Sequence, residues 1–98
     1  MKLTKKNKTL VVKLVKEYCK KMHLATPKII LEIIYPRQLE KYDHWGLYIF
    51  ADDILYVNLK NHIDEKNLRN TIAHELTHKK YPRLKHGEKF NSLVDHYY

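Results

Sequence analysis

Residues 74 to 78 read His74-Glu75-Leu76-Thr77-His78, and that spacing makes sense on one backbone. On an α-helix two histidines four apart project from the same face, so both imidazoles can reach one zinc ion. Glu75 then lies beside them, able to take a proton from a metal-bound water. With 7 histidines and 6 glutamates in 98 residues, composition alone yields roughly 0.03 such motifs per chain of this length. The motif therefore asks for a helix, and the flanking residues supply one.

Asp64 is placed as an N-cap, Glu65 in the first turn suits the helix dipole, and Ile63 and Leu68 are spaced as a hydrophobic staple. Leu68, Ile72 and Leu76 recur every four residues as an apolar stripe. Lys79 and Lys80 occupy the last turn and Pro82 stops the run, which predicts an active-site helix over 64–80. A catalytic zinc takes three protein ligands and keeps a position for water, so one donor is needed beyond His74 and His78. His86 follows a short connection, with Gly87 beside it to relax the turn. Glu88 is the rival donor, and two residues are too close for spacing to separate them.

The remaining periodicities predict an α+β fold, a single small domain over 1–98 with about three strands in one sheet. An N-terminal helix at about 4–22 places Val11, Leu14, Val15, Tyr18 and Met22 on one face and Lys13, Lys16 and Lys20 on another. The sheet spans about 28–59: a strand from Lys28 to Tyr35, then a hairpin of Leu47–Ala51 and Ile54–Leu59 joined by a two-residue Asp52-Asp53 turn, entered by an exposed loop over 40–45. Phe90, Leu93, Val94 and Tyr97 make a helical stripe in a C-terminal helix at about 87–98, too short to stand without packing on its own chain or on a second copy as a homodimer.

The run HELTHKKYPRLKHGEKF, with a third histidine followed four residues later by an aromatic, resembles the zincin pattern of SprT-like and WLM-type metallopeptidase domains. The chain length is closer to the minigluzincins, small soluble metallopeptidases similar to the catalytic cores of HtpX- and BlaR-type membrane peptidases. The resemblance covers about Trp45 to the C-terminus. It implies His74, His78 and His86 as ligands of one zinc per chain, and Glu75 as general base and acid. It further implies an edge strand, here 46–51, that binds an extended peptide or unfolded protein, and a C-terminal segment able to hold the enzyme latent as a zymogen. Broad selectivity is expected, with pockets lined by Tyr48 or Phe50. No residue stands out as the stabiliser of the oxyanion, a role left open among Tyr81, Arg83, His96, Tyr97 and Tyr98.

His23, His44 and His62 lack ligand spacing and read as surface or structural residues; His96, near Asp95, is placed where a blocking tail would offer metal donors. Cys19 has no partner for an intrachain disulfide, which fits a reducing compartment. The net charge of +8 invites nucleic acid as a partner, but Lys2, Lys5, Lys6, Lys8, Lys13, Lys16, Lys20 and Lys21 crowd the first helix, where they read mainly as a solvated face. No stretch approaches the ~20 apolar residues of a membrane span, so a cytoplasmic protein without a membrane partner is expected. Latent zinc peptidase is thus the first reading. The alternatives are a DNA-associated SprT-like protease or basic nucleic-acid-binding module, and a zinc-stabilised fold without catalysis.

Overall fold

The computed structural model describes residues 1–31 and 45–98. These form an α+β fold: α1 (Lys5–Met22), β1 (Lys28–Ile30), β2 (Gly46–Ile49), β3 (Ile54–Val57), a 3-10 turn (Leu59–Asn61), α2 (Glu65–Lys80) and α3 (Glu88–Tyr97).

Thr4 starts α1 by accepting the Asn7 N–H at 3.1 Å on its hydroxyl. His23 ends it in the left-handed region, φ 57°, with the Leu24 N–H bonded back to the Cys19 carbonyl at 2.9 Å, a cap in which histidine stands where glycine is usual. Pro27 and the extended residues after it feed β1, which pairs in parallel with β3, while β2 pairs with β3 antiparallel. The strand order is β1-β3-β2. Leu55 and Val57 of β3 point into the core, where they meet Leu14, Val15 and Tyr18 of α1 and Leu68, Ile72 and Leu76 of α2. The expected strand residues 32–35, the loop residues 40–44 and His44 lie outside the described residues.

Three expectations are corrected. The hairpin turn is four residues wide, Phe50 to Asp53, closed by the Asp53 N–H to the Phe50 carbonyl at 3.2 Å. A two-residue type I′ turn needs positive φ at both positions and type II′ at the first, and of the two aspartates only the second, Asp53, adopts it, at 51°. The strand predicted to run to Leu59 stops at Val57 and becomes the 3-10 turn, which brings His62 inward and leaves Ile63 83% exposed. The staple between Ile63 and Leu68 is therefore not made, and the Asp64 side chain, accepting the Asn67 N–H at 2.9 Å, starts α2.

Asp53 also ties three elements together. Its carbonyl accepts the Lys28 N–H at 3.0 Å, and its carboxylate takes the Tyr48 hydroxyl and the Lys79 ammonium, the latter at 2.9 Å. α3 packs on α2 and α1 of its own chain through Phe90 and Val94. Among the described residues no helix is long and apolar enough to cross a membrane.

Candidate metal centre and cleft

The helical period of α2 sets His74 and His78 one turn apart, facing α3. Gly87 then starts α3 directly after His86, which returns the third imidazole to the first two. The His78 and His86 Nε2 atoms are 2.8 Å apart, and one ring nitrogen from each of the three histidines lies within 4.8 Å of the others. A tetrahedral zinc with Zn–N bonds of about 2.0–2.1 Å holds its nitrogens about 3.3 Å apart, a spacing these values bracket. Glu88 is exposed at the start of α3 and stands outside the cluster.

Phe90 is the floor. Its ring centroid lies 4.9, 4.5 and 5.0 Å from those of His74, His78 and His86, and it is fully buried. Burial, then the neighbouring imidazoles, lowers the pKa of His74 and pushes that of His78 down to about 4. Both are thus neutral near physiological pH, the form that offers a lone pair to a metal.

Glu75 turns to the sheet. Its Oε2 accepts the Tyr48 N–H at 3.0 Å. Burial raises its carboxyl to about 7, against the opposing pull of that hydrogen bond. Among the described strands β2 lies at the sheet edge. The Trp45 carbonyl accepts the Asn58 N–H, so antiparallel alternation turns the backbone groups of Gly46 and Tyr48 away from β3, toward the cleft.

Gly46 permits this approach. A Cβ there would lie 2.7 Å from Thr71 Cγ2, 3.2 Å from the Tyr56 carbonyl oxygen and 3.3 Å from Glu75 Cγ. Two of those neighbours belong to α2 and one is backbone, so the strand would have to move. Gly46→Ala is expected to cost about 1–3 kcal/mol of stability as an overpacking substitution, read by urea denaturation; a midpoint equal to wild type would show that the strand yields freely.

A hollow of about 240 Å³ opens beside Glu75, lined by Trp45, Gly46, Asn70, Thr71 and His74. Trp45 packs on the His62 ring at 5.3 Å. His62 is buried, with Nδ1 2.7 Å from the Asn58 carbonyl oxygen and Nε2 2.7 Å from the Thr71 hydroxyl. A carbonyl only accepts, so Nδ1 carries the proton and Nε2 receives that of Thr71. His62 is therefore a structural residue that holds the wall of the hollow. His23 is exposed.

Tyr48 and Phe50, expected to line selectivity pockets, stand outside this hollow. Tyr48 gives its hydroxyl to Asp53 and its ring packs edge-on against the exposed Phe50 at 4.9 Å; Trp45, not either of these, walls the hollow. Of the five oxyanion candidates none lines it. The Tyr81 and Tyr97 hydroxyls pair at 3.3 Å, the Tyr98 hydroxyl reaches the Lys66 carbonyl at 3.4 Å, and Arg83 and His96 are exposed. Spacing did not reveal Gly46, Thr71, the Tyr48 amide or Lys79. The one signal for Gly46 was a glycine opening a strand, which marks close backbone approach.

Neither a protein-family model nor a curated relative matches the chain. Among solved structures it is similar to jannalysin, the metallopeptidase zymogen of Methanocaldococcus jannaschii, with a TM-score of 0.70 and 23% identity over 90% of this chain and 81% of that one. The two share a fold.

Proposed function

We propose that this chain is a zinc-dependent metallopeptidase in which His74, His78 and His86 hold one zinc and Glu75 is general base and acid for peptide-bond hydrolysis. The observation that carries the reading is the convergence of three imidazole nitrogens within 4.8 Å, beside a carboxyl held 3.0 Å from a strand-edge amide. Three imidazole nitrogens suit zinc and leave room in its coordination, as a catalytic site requires. Zinc bound there supplies a Lewis acid for the peptide carbonyl and lowers the pKa of water toward neutrality.

The chain's own residues supply the rest. The Tyr48 amide fixes Oε2 of Glu75 and leaves Oε1 to take the proton of the attacking water and pass it to the leaving amine. An extended peptide or unfolded protein adds to the β2 edge, bonding the Gly46 N–H and carbonyl and the Tyr48 carbonyl. Main-chain bonds of this kind favour affinity over strict sequence choice. The hollow under Trp45 receives one side chain.

Restraint by the C-terminal residues belongs to the same reading. Asn70 lines the hollow beside Glu75 and also a neighbouring one formed with Asp95 and Tyr98, so the end of α3 borders the cleft. The fold likeness to a protein described as a zymogen supports this.

Zinc content and casein cleavage, measured on the intact chain and on a chain lacking residues 95–98, form the test. One zinc per chain, lost in His86→Ala but kept in Glu88→Ala, with cleavage that rises on trimming, is the expected result. A trimmed, folded, zinc-loaded chain that cleaves no unfolded protein overturns the reading.

A further inference from the structure

Formal charge is unevenly divided along this chain. Residues 1–22 hold eight lysines against Glu17, a net of +7, whereas residues 23–98 set eleven basic side chains against ten acidic ones, a net of +1, which together give +8. The structure shows where these lysines point. Lys5, Lys6, Lys13, Lys16 and Lys20 are all exposed on α1, on the side opposite the buried Val11, Leu14, Val15 and Tyr18.

This arrangement works against the helix that carries it. Lys13 with Lys16, and Lys16 with Lys20, are like charges at spacings where side chains meet, which is destabilising. Lys5 and Lys6 sit in the first turn, at the positive end of the helix dipole, where acidic residues are favourable; the first turn has none. Glu17, the one acid of the helix, is drawn aside to Arg69 at 3.6 Å. Among the described residues none of the five exposed lysines pairs with a carboxylate. A solvated face ordinarily intersperses both signs. Here the repulsion is unrelieved within the described residues, and an external polyanion would relieve it.

We propose that the outer face of α1 is a docking surface for the phosphate backbone of duplex DNA. Lys5 and Lys20 stand about 22 Å apart along the axis at 1.5 Å per residue, and a duplex offers one negative charge per about 1.7 Å along its own axis. The only aromatic residue of α1, Tyr18, is buried, so the face has no platform for stacking bases and contacts the backbone without reading sequence. The apolar stripe of α1 is committed to the core, so the helix has none to insert into a bilayer, as an interfacial helix must. The histidine cluster, β2 and α3 take no part, and the cleft stays accessible when DNA is bound.

The test is fluorescence anisotropy of a labelled 20-base-pair duplex with the full-length chain between 50 and 200 mM NaCl. Contacts from five lysines give a slope of log K against log salt of about −4.5. Lys13→Gln/Lys16→Gln/Lys20→Gln, checked for folding by circular dichroism, is expected to make the slope shallower by about 2.7, whereas Lys28→Gln/Lys60→Gln/Lys89→Gln, equal in charge change but on other elements, leaves it near the wild-type value. Zinc removal leaves binding unchanged, which separates this inference from the peptidase reading. No binding at 50 mM salt, an equal loss in both triple variants, or tighter binding to RNA duplexes or to vesicles rich in anionic lipid overturns it.

Discussion

In the chain lacking residues 95–98, Glu75→Gln is expected to yield a folded, zinc-loaded protein whose casein cleavage falls by about 10²- to 10⁴-fold, the usual contribution of a positioned general base. Glutamine matches glutamate in shape and keeps an oxygen for the Tyr48 amide, which donates to Oε2 at 3.0 Å, so strand and helix remain in place. Only the proton acceptor is lost. A second consequence distinguishes this residue from an ordinary surface acid. Burial lifts its carboxyl from 4.5 to about 7, so in the metal-free chain the folded state holds a proton that the unfolded state has released. The wild-type chain therefore loses stability from this group as pH rises from about 4.5 to about 7, whereas the glutamine variant does not. Thermal melts of the two metal-free proteins converge near pH 4.5 and separate by pH 8, with the variant melting higher. Unchanged proteolysis with intact zinc content would assign the base elsewhere.

Phe90→Ala carries the largest expected loss of stability, about 3–5 kcal/mol for removal of a fully buried phenylalanine. For a domain whose total is about 5–15 kcal/mol, that is a large share. The cavity opens beneath His74, His78 and His86, whose rings stand 4.5 to 5.0 Å from that of Phe90, so zinc affinity is expected to fall as well although no ligand has changed. Guanidinium denaturation and competitive zinc titration read the two effects. A loss below about 1 kcal/mol with unaltered zinc affinity would mean that the floor is not Phe90. Trimming that stops at residue 95 spares this ring, which makes it a cleaner probe of restraint than removal of α3.

α2 was legible because local and chemical constraints coincide there. The period that buries Leu68, Ile72 and Leu76 also sets His74 and His78 on one face, and the Asp64 cap is a local bond. The choice between His86 and Glu88 was not legible from spacing, since it depends on where Gly87 turns the chain into α3. Sheet details were lost for the same reason. Whether Ile63 or His62 faces inward follows from a 3-10 turn that no periodicity announces, and the width of the hairpin turn depends on which aspartate adopts positive φ. Lys79 illustrates the limit most plainly. In sequence it is a last-turn cation suited to the helix dipole; in the fold it reaches the Asp53 carboxylate at 2.9 Å and the Ala25 carbonyl at 2.6 Å, contacts 26 and 54 residues away. Long-range partners of a polar side chain leave no trace in the periodicity of its own helix.

That bond bears on how the molecule comes apart. Strands of three and four residues do not persist as an isolated hairpin in water, and here the bend between two of them is fastened at one carboxylate to the C-terminal turn of α2. The sheet is thus tied to α2 at this bend as well as through the packing of β2 and β3 on that helix. Strand, bend and α2 are therefore expected to melt in one cooperative transition, seen as coincident thermal curves by near- and far-ultraviolet circular dichroism.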